Sequence, residues 1–237
     1  MVHDRNNIVR NYIRIGNYKM SKATFLIGCP HFGHDNIYKF TRYNGEKVRP
    51  YANAAEGDAI MLQRWNEVVR ADDKVYMLGD ICFENKHLKI LGQLNGKKVL
   101  IKGNHDKLTM GEYSKYFYDI RATHTLAHEV LSHIPVHPQS LGRGSAKVGR
   151  KWLNIHAHLH AERVMLDRVP RYSPVEPDPQ YYSVCVEHTN YTPVTIDEIR
   201  ASPQYQKWWT DMQTTIEVNR VILAREKSET TTGLEWK

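Results

Sequence analysis

Five short segments of this 237-residue chain carry side chains that ligate metals. They are Cys29-Pro30-His31, Gly79-Asp80, Gly103-Asn104-His105-Asp106, His133 and His158-Leu159-His160. Together they offer a thiol, imidazoles, carboxylates and an amide oxygen. A mixed N/O/S set of this kind suits borderline divalent cations. Gathered at one place, it could bind a pair of them and leave room for water and a substrate. Two such ions about 3.5–4 Å apart turn a shared water into hydroxide and clamp both oxygens of an in-line displacement at phosphorus. Any one of these histidines alone would read as a polar loop residue; the ordered set is what points to chemistry.

Loops at strand ends converge on a single crevice in layered α/β folds, so each segment calls for a strand just before it. The sequence supplies those strands. Ala23 to Ile27, Lys74 to Leu78 and Lys98 to Ile101 are β-prone apolar runs, closed by Gly28-Cys29-Pro30, Gly79-Asp80 and Gly103-Asn104. Between them, Asn53 to Arg70 is helical, with Asn53 as cap and Ile60, Met61, Trp65, Val68 and Val69 on one face. His87 to Leu94 predicts a short helix. Later, Val130 to Ser132 leads into His133, Trp152 to Ile155 leads into His156 to His160, and Tyr181 to Val186 is a further short run. Thr195 to Ile199 opens a helical stretch, and another helix covers Gln206 to Arg225. Alternating strands and helices predict an α/β fold.

The composition, 41% hydrophobic and 25% charged, excludes a largely disordered, collagen-like or multi-span membrane chain. No apolar run reaches the ~18–20 residues that span a bilayer. Lysine and arginine total 33 against 26 acidic residues, a net +7 that favours anionic partners: phosphate esters, nucleotides or nucleic acid. Three widely spaced cysteines argue against a disulfide framework and for a reducing, cytoplasmic setting. Residues 1–20 read as a weakly ordered leader, 21–225 as a single domain and 226–237 as a frayed tail. Gly142 to Lys151 is a basic loop suited to phosphates or to solvent, and Arg168 to Gln180 is a proline-rich one. No feature fixes an oligomeric state.

The ordered segments resemble the calcineurin-like metallophosphoesterase superfamily, whose pattern is D-x-H, G-D, G-N-H-[DE], a lone His, then G-H-x-H. The match runs from Ala23 to Ile199. His31-Phe32-Gly33-His34 with Asn36-Ile37, Ser132-His133-Ile134-Pro135 and Asn154-Ile155-His156 look like the small phage and bacterial members. The resemblance implies a four-layer α/β/β/α sandwich of two mixed sheets and two divalent metal ions (manganese, zinc or iron). It implies that Asp80 bridges the metals. His31 and His160 would hold the first, with position 29 as a further ligand, and Asn104, His133 and His158 the second. His105 would be the catalytic histidine, Asp106 would orient it, and His34, Asn104 and His105 would meet the substrate. The expected activity is phosphoester hydrolysis, a diester favoured, by hydroxide attack with His105 assisting departure of the alcohol. The alternatives are a nuclease acting on DNA or RNA ends, and a catalytically weakened, metal-bound nucleic-acid-binding protein.

Two positions depart from that pattern. Cys29 stands where the family has Asp. It reads either as a thiolate ligand, favouring zinc or iron over manganese, or as a small buried thiol beside a weakened first site. Ala157 stands where the family has Gly, at a cost of about 1 kcal/mol if the backbone there needs a positive φ. Outside the set, His156 reads as a structural hydrogen bonder, Trp65 as core, and Cys82 and Cys185 as packing thiols. Trp208 and Trp209 read as helix packing rather than a base-stacking platform.

Overall fold

A computed structural model describes residues 21–42, 44–142, 152–166 and 176–232. The leader at 1–20, most of the basic loop and most of the proline-rich loop lie outside the described residues. Among those described there are nine strands: β1 (Thr24–Ile27), β2 (Lys74–Met77), β3 (Lys97–Ile101), β4 (Asp119–Arg121), β5 (His124–Thr125), β6 (Glu129–Leu131), β7 (Leu153–His156), β8 (Tyr181–Ser183) and β9 (Val194–Thr195). They form two mixed sheets, ordered β4-β3-β2-β1-β9 and β5-β6-β7-β8. In the first, β1 to β4 pair in parallel and β9 is antiparallel to β1. In the second, β6, β7 and β8 are parallel and β5 is antiparallel.

The strands of the first sheet are apolar on both faces, as a parallel sheet covered on both sides must be. Phe25, Ile27, Val75, Met77 and Leu100 pack with Met61, Trp65, Leu88 and Leu91. The alternate residues Leu26, Tyr76, Leu78, Val99 and Ile101 pack with Leu131, Leu153 and Ile155 of the second sheet, and with Trp208 and Met212. The result is an α/β sandwich with apolar layers on either side of β1 to β3. Trp208 and the partly buried Trp209 belong to the second cluster, so both are packing residues.

Local chemistry sets the helices. The Asn53 side chain accepts from the Glu56 N–H and starts the Ala54–Val68 helix. Thr195 and Glu198 form a capping box that starts Ile196–Ala201. The stretch expected to be helical from His87 is a 3-10 helix, Asn85–Gln93. The last helix, Pro203–Thr232, runs on past Arg225 into the segment expected to fray. It is tied to β6 through the buried carboxylate of Glu129, which accepts from the Tyr205 hydroxyl at 2.8 Å and from Arg200 at 3.0 Å. No described helix is long and apolar enough to cross a membrane.

The sheets meet beyond the end of β1. The Gly28 N–H donates to the Val184 carbonyl at 2.8 Å, and the Val186 N–H donates back to the Gly28 carbonyl at 3.1 Å. This junction sets Cys29 and the stretch after β8 side by side.

Candidate metal centre

Because β1, β2 and β3 are parallel, their carboxyl ends emerge on one edge. Cys29 and His31 follow β1, Asp80 follows β2, and Asn104 and His105 follow β3. His133 follows β6, and His158 and His160 follow β7. The chain turns sharply at these points. Cys29 (φ 53°), His31 (50°), Asp80 (55°), His158 (69°) and His160 (52°) all adopt the left-handed conformation. Each costs a non-glycine residue about 1 kcal/mol or more, strain that gathers where side chains must be aimed. Gly103 permits a close approach: a Cβ there would collide with Asp80 Oδ1. The same oxygen accepts the His105 N–H at 2.9 Å.

Two groups of ligand atoms result, each with all members within 4.8 Å of one another: Cys29, His31 and His160, and Cys29, Asp80 and His133. The sulfur of the fully buried Cys29 belongs to both. His133 Nε2 is 2.9 Å from Asn104 Oδ1, 3.3 Å from Asp80 Oδ2 and 3.2 Å from His158 Nδ1. His133 Nδ1 lies 2.7 Å from the Leu78 carbonyl, an acceptor only, so Nδ1 carries a proton. Burial works to lower the pKa of the ring, but its bonds to Asp80 and to the Leu78 carbonyl raise it, so with no cation bound a proton on Nε2, facing Asn104 and Asp80, is favoured. The side chains around Nε2 thus converge on a point where a proton or a metal cation supplies the positive charge.

The buried ring of His31 gives the second observation of fit. Neither of its nitrogens makes a hydrogen bond, although Nε2 lies 3.6 Å from Asp80 Oδ2. Burial, then the charges of His160 and Arg49, hold its pKa well below the ordinary histidine value. A neutral, buried, unpartnered imidazole is costly unless it ligates something. Burial would raise the Asp80 carboxyl, but the hydrogen bond and charge of His133, with the His105 N–H, overcome it and bring the pKa to about 2. The neutral His31 ring beside an ionised carboxylate fits a divalent cation, and His133 can join Asn104 as a ligand once a cation displaces its Nε2 proton. Cys29 takes the His158 N–H on its sulfur at 3.1 Å. Burial, then Cys185, push its thiol well above the ordinary value, so it is protonated when no cation draws the proton off.

Around these ligands, His105 and His34 flank Phe83, an aromatic ring left 41% exposed. The Phe83 centroid is 4.9 Å from His105, 4.5 Å from His34 and 5.5 Å from His31. His34 is half-buried and stands 5.8 Å from the His31 ring. Every side chain singled out from the sequence thus stands in or beside one cluster.

One expectation is corrected, and one condition is settled. Asp106 does not orient the His105 ring. Its carboxylate accepts the N–H groups of Asp80, Ile81 and Gly103 at 2.8–2.9 Å, and the Tyr113 hydroxyl at 3.3 Å. It fixes the turn that presents Asp80. Ala157 has no positive φ, so its methyl carries no backbone cost; it is buried against Gly28, where a second Cβ would collide with it. His156 is structural: it is fully buried with Nδ1 2.8 Å from the Ala157 carbonyl, and burial lowers its pKa to about 4.

Sequence reasoning missed Arg49 and Glu187. Both are buried, and they form an ion pair at 2.9 Å behind His160. The one available signal was an acid placed directly after the apolar run Tyr181 to Val186. Nothing marks Arg49. Phe83 was missed because an aromatic residue after Gly79-Asp80 reads as core.

No protein-family model matches the chain. The chain is 33% identical over 186 residues to the uncharacterized protein MJ1445 of Methanocaldococcus jannaschii, covering 75% of this chain and 89% of that one, and it belongs to the same family. It is also similar to a solved structure, the protein of unknown function AQ665 from Aquifex aeolicus. That likeness has a TM-score of 0.51 and 25% identity, over 76% of this chain and 98% of the other.

Proposed function

We propose that this chain is a metal-dependent phosphoesterase with the four-layer α/β/β/α architecture of the calcineurin-like metallophosphoesterases, acting on a phosphodiester. The observation that carries the reading is the pair of ligand groups joined at the Cys29 sulfur. It is supported by the sequence order in which all seven ligand residues appear.

Two divalent cations, when bound, supply the activation of water and the neutralisation of charge at phosphorus. Cys29, His31 and His160 would hold one and Asn104, His133 and His158 the other, with the Asp80 carboxylate, whose Oδ2 faces both His31 and His133, as a ligand common to the two. The rest of the work falls to the protein. The hydrogen bond from the His105 N–H to Asp80 Oδ1 keeps the catalytic loop in register with the shared carboxylate. His105 stands at the partly open side of the cluster, where a protonated ring nitrogen can donate to the leaving alcohol oxygen as general acid. Asn104 and His34 offer polar contacts to the phosphoryl group. Phe83 walls the same opening with an apolar face that limits water there.

The test is release of nitrophenol from bis-nitrophenyl phosphate and from mono-nitrophenyl phosphate, with manganese, zinc or iron added. The proposal expects metal-dependent turnover, faster on the diester, that His105→Ala lowers roughly 100-fold or more. No turnover with any of the metals contradicts it. Labelled single-stranded DNA in the same assay separates a nuclease from an enzyme of small esters.

A further inference from the structure

The candidate ligands Cys29, His31 and His160 sit in left-handed turns, outside the ladders of either sheet. Beyond the Cys29 and His31 N–H groups, which donate to the Gly79 and Asp80 carbonyls at 3.1 Å, they are held by a pair of residues that no motif contains. Arg49 is fully buried, and its guanidinium donates in three directions: Nη2 to the Cys29 carbonyl at 2.7 Å, Nη1 to the Pro30 carbonyl at 2.8 Å, and Nε to Glu187 Oε1 at 2.9 Å. That same glutamate oxygen lies 3.1 Å from His160 Nδ1. The two partners come from segments 138 positions apart.

We infer that Arg49 and Glu187 are positioning residues dedicated to one of the two metal sites, the one built from Cys29, His31 and His160. The inference rests on the metal-centre reading proposed above. Glu187 accepts the Nδ1 proton of His160 and thereby fixes the tautomer that leaves Nε2 free to ligate. Arg49 balances the glutamate charge and pins the backbone on both sides of the turn between Cys29 and His31. The second site stands on other supports: His133 on the Leu78 carbonyl, and Asp80 on the N–H of His105 and, through its own N–H, on Asp106. A buried ion pair is a poor source of stability, since apolar replacements often serve as well. A role in aiming ligands accounts for burying one here. Their separate supports make the two sites unequal: the pair bears on the first through Cys29 and His160, and reaches the second only through Cys29, whose sulfur belongs to both groups.

The experiment compares wild-type protein, the double variant Arg49→Gln/Glu187→Gln and the single variant Glu187→Asp. Each is stripped of metal and titrated with cobalt(II), followed by calorimetry and by the thiolate-to-cobalt absorption band of Cys29. The double variant removes both charges together and so leaves no lone buried ion. Glu187→Asp keeps the charge that Arg49 needs but shortens the reach to His160, which guards against a folding failure of the double variant. Circular dichroism and thermal unfolding are recorded without metal. The inference expects two binding steps in wild type. In the variants one step weakens 10–100-fold with a diminished thiolate band, and the other step weakens clearly less. Two steps of wild-type affinity in both variants overturn it, as does equal weakening of both steps. Wild-type protein that binds no cobalt overturns the metal-centre reading itself, which keeps the two failures distinct.

Discussion

The carboxylate of Asp106 grips Asp80 by its backbone, accepting the Asp80 N–H at 2.8 Å while also taking those of Ile81 and Gly103. One buried side chain thus welds the turn after β2 to the turn after β3. Asp106→Asn replaces one accepting oxygen with a donor facing N–H groups. Each buried donor left unsatisfied costs about 1–3 kcal/mol. We expect the variant to unfold at clearly lower temperature, by roughly 3 kcal/mol of stability, and to lose metal as well. A role confined to orienting His105 would leave the melting temperature unchanged.

Asp80 belongs to one of the two ligand groups, and its Oδ2 faces both His31 and His133. Asp80→Asn keeps the shape and removes the charge that faces His31 and His133. Hydrolysis of the diester is expected to fall roughly 100-fold or more, with metal stoichiometry measured by elemental analysis falling in parallel. Full activity in this variant would remove the shared carboxylate from the mechanism.

Cys29 enters any metal site as a protonated thiol and must give up its proton to ligate. Zinc binding at pH 7 is therefore expected to release one more proton in wild type than in Cys29→Ala. Calorimetry in buffers of different ionisation enthalpy measures the difference, and equal counts would make Cys29 a bystander. Cys29→Asp, which places there the residue of the D-x-H pattern that the segment resembles, is expected to shift the metal preference from zinc toward manganese.

Acid should destabilise the metal-free protein through two carboxylates. Burial works to raise the pKa of Glu187, yet the His160 hydrogen bond and the Arg49 charge bring it from 4.5 to about 2. His133 does the same for Asp80, from 3.8 to about 2. Both folded values lie below the unfolded ones, so the unfolded chain takes up protons first as the pH falls. The stability these groups contribute is present above pH 4.5 and is lost as the pH falls through about 2. It amounts to on the order of 2 kcal/mol for each. Denaturant midpoints measured across that range should drop steeply in wild type and less so in Arg49→Gln/Glu187→Gln.

The ligand-bearing turns were legible because each follows a strand that the apolar pattern marks, and because parallel strands bring such turns to one edge. The same logic located β1, β2, β3, β6 and β7 to within a residue or two. It failed at β4, β5 and β9, edge strands of three residues or fewer, too short for alternation to register. Asp106 was misassigned because its partners are backbone N–H groups, which have no sequence signature. Arg49 and Glu187 were hidden for a different reason: each meets its partner only through the junction at Gly28, where the two sheets join, and a contact across 138 positions leaves no local pattern.

Crystals soaked with zinc or manganese and measured at the metal absorption edge test the central claim most directly. The account predicts two anomalous peaks about 3.5–4 Å apart. One should lie among Cys29, His31 and His160, the other among Asn104, His133 and His158, with the Asp80 carboxylate beside both. No peak in this cluster, or peaks only at surface histidines, would contradict it.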